Sequence, residues 1–195
     1  NGTEYQKQYR TKEGNDEFYK TSDFVEGSIV YDQQHYYNVY MLYDVYKDEI
    51  IVRLSTQSSL DIIQLIKEKV ESFSINNKLF VRVFNNENQG FHEVLYESNY
   101  LTLYKKHIKQ RSQRSDEDFA YYVFKDKKEY IIKYNHNYYT IKSKSDFFKI
   151  FPEQKKDINL FYKTNKKLYK SDYDLFLNKL SNHIETLIAI KSSVN

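Results

Sequence analysis

Between Ile29 and Leu54, apolar and aromatic residues recur at every second position, and many of them are tyrosines. A period of two belongs to a strand rather than a helix, which confines this stretch to sheet. Tyrosine suits such a strand because its ring packs on a pleated face while its hydroxyl stays within reach of water or a partner. With 21 Tyr and 13 Phe in 195 residues, and neither Trp nor Cys, the pattern predicts half-buried antiparallel sheet.

Tyr37, Val39, Met41 and Tyr43 alternate with Tyr36, Asn38, Tyr40, Leu42 and Asp44, so this strand is apolar on both faces and covered, in part, on both sides. Asp32-Gln33-Gln34-His35 before it and Lys47-Asp48 after it read as turns, and Ile50, Val52 and Leu54 resume the alternation. Asn76-Asn77 predicts a two-residue hairpin, because Asn accepts positive φ. Further hairpins are predicted with turns at Ser98-Asn99, Lys125-Asp126-Lys127 and Asn135-His136-Asn137. Such short links imply an antiparallel meander sheet or a partly closed β-barrel. Residues 60–70 fit a helix, with Leu60, Ile63, Ile66 and Val70 on one stripe and Ser59 as its cap, and they also fit strands; the strand-like flanks favour strands.

Residues 1–23 are polar and aperiodic and read as an N-terminal arm, whose Tyr5, Tyr9, Phe18 and Tyr19 can dock on a neighbour. Residues 24–142 form the antiparallel β domain. Residues 143–195 are a helical segment packed on the sheet, with two or three helices. Ser145 is placed to cap a short turn, Pro152 to open a helix, and Ser171 to cap a longer one. Tyr173, Phe176, Leu177, Leu180, Ile184, Leu187 and Ile188 form its apolar stripe, to be buried on the sheet or on a partner subunit. The fold class is therefore α+β.

The order of these phrases carries a resemblance. Val25-Glu26-Gly27-Ser28-Ile29-Val30-Tyr31 leads to Tyr43-Asp44-Val45-Tyr46-Lys47-Asp48-Glu49, then to Val70-Glu71-Ser72-Phe73, Phe80-Val81 and Gly90-Phe91-His92-Glu93-Val94-Leu95-Tyr96. Tyr138-Tyr139-Thr140-Ile141-Lys142-Ser143-Lys144 and a charged terminal helix follow. Over about 25–188 the chain resembles a family of small, mostly uncharacterised exported proteins of the Bacteroidota cell envelope. The resemblance implies export and a periplasmic or cell-surface location, and it carries over no catalytic or ligand residue. It departs from the family pattern at Asp32-Gln33-Gln34, where an Asp-Gly or Gly-x turn is expected. A chain starting Asn1-Gly2-Thr3 is what leader removal leaves, and also what trimming leaves.

Composition narrows the chemistry. Thirty Lys and Arg against 27 Asp and Glu give a net charge of +3, too balanced to imply a polyanion partner. Without Cys there are no disulfides, thiolate metal sites or cysteine nucleophiles. His35, His92, His107, His136 and His183 match no metal-binding spacing, and the four glycines form no phosphate loop or nucleophile elbow. Neither an enzyme nor a cofactor is expected, and membrane association is peripheral at most.

Two features remain as a candidate interaction surface. One is the basic stretch with Lys105, Lys106, Arg111 and Arg114, read as a solvated loop closed by Asp116-Glu117-Asp118. The other is a set of tyrosines, Tyr36, Tyr40, Tyr46 and Tyr100 foremost, able to act as interface anchors or sugar platforms. The leading expectation is a non-catalytic accessory subunit of the envelope that works through contacts with a protein partner. A carbohydrate-binding module using exposed tyrosines is the alternative, and a nucleic-acid binder is the less favoured third reading.

Overall fold

The structure, a computed structural model, describes residues 2–12, 14–55, 60–84, 89–116 and 119–192. Its strands are β1 (Gly2–Glu4), β2 (Val25–Tyr31), β3 (Gln34–Asp44), β4 (Glu49–Ser55), β5 (Leu60–Leu65), β6 (Val70–Ile75), β7 (Lys78–Val83), β8 (Gly90–Glu97), β9 (Leu101–Ser115), β10 (Ala120–Tyr134) and β11 (Asn137–Ile141). Helices α1 (Lys144–Ile150), α2 (Lys155–Thr164), α3 (Lys166–Ser171) and α4 (Tyr173–Ser192) follow. The sheet is antiparallel, with strand order β1-β5-β4-β3-β2-β6-β7-β8-β9-β10-β11. That order has two ends, β1 and β11. Two meanders are thus spliced where β2 pairs with β6, from Gly27↔Ile75 to Tyr31↔Val70. The α+β class follows directly, with four helices among the described residues rather than two or three.

Turn chemistry explains the hairpins. Asn76 and Asn77 have φ of 52° and 58°, and Asn135 and His136 have 48° and 64°, so both are left-handed two-residue turns matched to strand twist. Asp32 and Gln33 (52° and 64°) do the same work without glycine, which returns His35 from the expected turn to strand β3. Residues 60–65 are strand, as their flanks suggested, and a single 3-10 turn, Lys67–Lys69, leads into β6. The expected cap Ser59 lies outside the described residues.

The expected turn at Lys125-Asp126-Lys127 does not exist. Strand β10 runs unbroken through it, and between the end of β9 and the start of β10 the Asp116 N–H donates to Phe119 O at 3.2 Å. Lys125 to Lys128 are four successive exposed polar residues and so imitate a turn, but they continue β10, with Asp126 paired to Lys109 of β9 at 3.2 Å. The basic stretch is accordingly not a solvated loop. It is the body of strand β9.

The chain divides into two compact units, Asn1–Glu93 with His107–Lys128, and Val94–Lys106 with Glu129–Asn195. This replaces the expected boundaries at 23/24 and 142/143, since β8, β9 and β10 each contribute residues to both units. In the first unit the sheet curls tightly. Strand β3 would span about 35 Å if straight. Yet Lys67 pairs with Asp48 beyond one end of β3 (2.7 Å), and Lys69 pairs with Asp32 beyond the other (2.8 Å). The bend sits where β3 carries an extra residue against β2, at Asn38 with φ 54°. The bulge also breaks the expected alternation, leaving Tyr36 and Tyr37 both exposed while Met41, Leu42, Tyr43 and Asp44 are buried on both faces.

Inside that curl lie Tyr19, Tyr43, Phe73, Phe80 and Phe91. Residues 1–23 are part of this unit, not an arm. Strand β1 pairs with β5, Thr11 bridges Tyr122, and Phe18 bridges Asp44, burying Phe18 and Tyr19. Their irregular spacing hid this, because each contact meets a different strand.

The second unit has its own core. Leu101, Leu103, Ile132 and Ile141 of the strands meet Phe147, Ile158, Phe176, Leu177, Leu180 and Ile184 of the helices. The α4 stripe therefore buries on strands of this chain. The cap of α4 is Asp172, whose Oδ1 accepts from Leu175 N at 2.9 Å, while Ser171 ends α3. Ahead of α1, Asp146 Oδ2 accepts from the N–H groups of Lys142 and Ser143, and Pro152 falls between α1 and α2.

Candidate interaction surface

The distal halves of β9 and β10 lie in the first unit, where the strand period sets Lys109 and Arg111 two residues apart on one face. The Arg111 guanidinium lies 5.1 Å from the ring centre of Tyr9, 5.3 Å from Tyr46 and 4.9 Å from Tyr122. These rings hold one another edge to face, with Tyr9 at 5.7 Å from Tyr46, 5.5 Å from Tyr122 and 5.4 Å from Phe124. Aromatic faces carry negative potential, so the cluster attracts and orients the cation without neutralising it. Towards the hairpin tip Arg10 covers Phe119 at 3.6 Å, and Lys12 covers Tyr121 at 4.3 Å while pairing with Asp116 at 2.9 Å.

Beside the cluster is an open cavity of about 620 Å³ lined by Tyr46, Lys109, Arg111, Arg114 and Lys125. Lys109 is paired with Asp126 at 3.2 Å. Among the described residues, Arg111, Arg114 and Lys125 have no acidic partner. Of the expected acidic closure, Asp116 is committed to Lys12, and Glu117 and Asp118 lie outside the described residues.

The eight residues singled out from sequence are divided between the two units. Tyr46, Arg111 and Arg114 come together here, although Tyr46 is half-buried in the cluster rather than presented to a ligand. Tyr36 and Tyr40 are exposed on β3; the Tyr36 hydroxyl donates to Gln34, and Arg53 covers the Tyr40 ring at 4.8 Å. Tyr100, Lys105 and Lys106 belong to the second unit. Lys105 is only 5% exposed and donates to Asp174 at 2.6 Å, where the Tyr130 hydroxyl also donates at 2.6 Å. Lys105 is a buried cation paired with a partly exposed carboxylate, because β9 enters the second unit's interior at that point. Tyr122, Phe124 and Lys125 were missed, and Tyr9 and Lys109, though noted as a docking ring and as part of the basic stretch, were not placed in this surface. Reading β9 and β10 as continuous strands would have exposed them, since cross-strand pairing sets Lys109 beside Asp126.

Elsewhere in the first unit several carboxylates are buried. Glu93 is 1% exposed and held by His107 Nε2 at 2.7 Å and Lys78 at 3.2 Å. Glu17 and Asp44 are each 1% exposed where the Phe18 bridge joins β3. Burial raises the Asp44 carboxyl to about 6, against the opposing hydrogen bond from Lys47 N, and the nearby Glu17 charge adds to the rise. Burial raises Glu17 also, and its Oε2 accepts no hydrogen bond. Because Asp44 holds its proton more tightly when folded, stability from this group is greatest below about pH 4 and falls as pH rises towards 6. Asp44→Asn, which keeps the acceptor for Lys47, is expected to raise stability at pH 7.5 by about 2 kcal/mol and to leave it unchanged at pH 4. Urea unfolding at the two pH values checks this.

No group of three or more His, Asp or Glu among the described residues could hold a metal ion, and no described helix is long and apolar enough to cross a membrane. Comparison with protein-family models, curated proteins and solved structures finds no match.

Proposed function

We propose that this protein is a non-catalytic binding subunit that holds an acidic segment of a partner protein in the cationic cavity of β9 and β10. The observation that carries the reading is three cations in one cavity, Arg111, Arg114 and Lys125, without carboxylate partners among the described residues. A partner's carboxylates would complete them, and Arg111 is already oriented by its aromatic neighbours, which reduces the ordering cost of binding. Nucleic acid is the weaker reading. Arg111 lies over the rings of Tyr9, Tyr46 and Tyr122, and these rings pack edge to face, contacts that compete with base stacking. Assignment to the bacterial envelope, with export, rests on the family resemblance of the strand-and-turn phrases.

Fluorescence anisotropy with a labelled peptide of alternating Glu and Ser, beside an oligothymidine of equal charge, tests the reading at low and high salt. The peptide is expected to bind and to weaken with salt. Arg111→Ala is expected to lower its affinity about tenfold, or 1.4 kcal/mol. Tyr46→Leu, which leaves every charge in place, should lower it about threefold by releasing Arg111. Tighter binding of oligothymidine would transfer the site to nucleic acid, and binding of neither at low salt would end both readings. Fractionation that leaves the native protein in the cytoplasm would overturn the envelope assignment.

A further inference from the structure

The second unit holds a different concavity, between the turn joining β8 to β9 and the turn joining β10 to β11. We propose that it binds a neutral sugar unit of a glycan. Its volume is about 340 Å³, at the small end of ligand pockets. Glu97, Asn99, Tyr100, Lys133, Asn135 and His136 line it. None of these side chains is engaged by a hydrogen bond or ion pair among the described residues; Lys133 only approaches the Tyr138 ring, at 5.8 Å.

Each feature of the lining corresponds to a feature of a pyranose. Sugar hydroxyls both donate and accept, and the side-chain amides of Asn99 and Asn135 do likewise. Glu97 supplies a strong acceptor and Lys133 a strong donor, and their opposite charges leave no net field to select an ion. Tyr100 is part of the lining and 39% exposed, and a tyrosine ring carries a face of negative potential suited to the C–H face of a sugar.

The walls are set before any ligand arrives. Ser98 Oγ accepts from Leu101 N at 3.2 Å and donates to Leu101 O at 3.0 Å, fixing the first turn. Asn135 and His136 form the left-handed second turn, and Asn137 Nδ2 donates to Asn135 O at 3.0 Å. Uncommitted polar side chains on two rigid turns bind small polar ligands with little ordering cost.

Saturation-transfer NMR on the full chain, with the methyl glycosides of glucose, galactose, mannose and N-acetylglucosamine in the millimolar range, tests the site. At least one sugar is expected to receive saturation, with amide shifts confined to the two turns. Tyr100→Ala and Asn99→Ala, both at exposed positions, are each expected to weaken binding about tenfold. Arg111→Ala should not change it, which separates this site from the cationic cavity. Saturation of none of the four sugars would overturn the proposal. So would binding that survives Tyr100→Ala, or a preference for methyl glucuronide over every neutral sugar.

Discussion

Replacing Phe80 with alanine is expected to cost the first unit about 4 kcal/mol, the largest effect of any single truncation proposed for this chain. Phe80 is fully buried, stacked on Phe73 with centroids 4.8 Å apart and 3° between planes. The edges of Tyr43 and Tyr19 meet it at 5.4 Å and 5.1 Å, and the His107 ring lies at 5.8 Å. These neighbours come from the leading segment, β3, β6 and β9, so no one of them can move in to fill the space. The cost is thus a lost transfer free energy plus a cavity. Phe80→Leu keeps most of the volume and should cost under about 1.5 kcal/mol. Urea unfolding of both variants decides the matter, and an alanine variant no less stable than the leucine one would refute the central role of this ring. Because Tyr19 leans on Phe80, the alanine variant should also be cut faster by protease around residues 16–20.

Gly27→Ala is expected to cost about 3 kcal/mol through overpacking against backbone. A Cβ at Gly27 would lie 2.1 Å from the carbonyl oxygen of Ser74 and 3.3 Å from Met41 Cε. The methionine can turn aside. The carbonyl cannot, because it belongs to the β2–β6 ladder that splices the two meanders, with Gly27 opposite Ile75 and Ser28 opposite Ser74. Relief therefore requires opening that ladder. Gly14→Ala provides the contrast, since nothing lies within 4 Å of its Cβ and only its φ of 73° opposes the change, for about 1 kcal/mol. Hydrogen exchange of the β6 amides should accelerate in Gly27→Ala and not in Gly14→Ala. Equal effects of the two substitutions would show that close approach at Gly27 is not what the fold depends on.

The local signals in the sequence were legible where one residue type answers one local need. Asn76-Asn77 read as a hairpin because positive φ is a property of the residues themselves. Likewise, the α4 stripe of Phe176, Leu177, Leu180 and Ile184 read as a buried face because helical spacing alone aligns it. Reading failed where the deciding partner is distant. Lys125-Asp126-Lys127-Lys128 looks like a turn until Asp126 is seen opposite Lys109. Lys105 looks like a surface cation until Asp174, 69 positions away, is seen beside it.

The candidate surface was legible in half. Arg111, Arg114 and Tyr46 stood out by type, but Tyr9 and Tyr122, which orient Arg111, come from segments with no common period. By itself the sequence determined an α+β chain of antiparallel strands and left-handed turns, followed by helices, since dihedral preference and periodicity act within a few residues. Tertiary structure alone decided that Phe18 and Tyr19 of the leading segment join a core, that β3 bends at Asn38, and which cations lack an acidic partner among the described residues. Those outcomes depend on which distant side chain arrives within contact range, and no local rule of spacing encodes that.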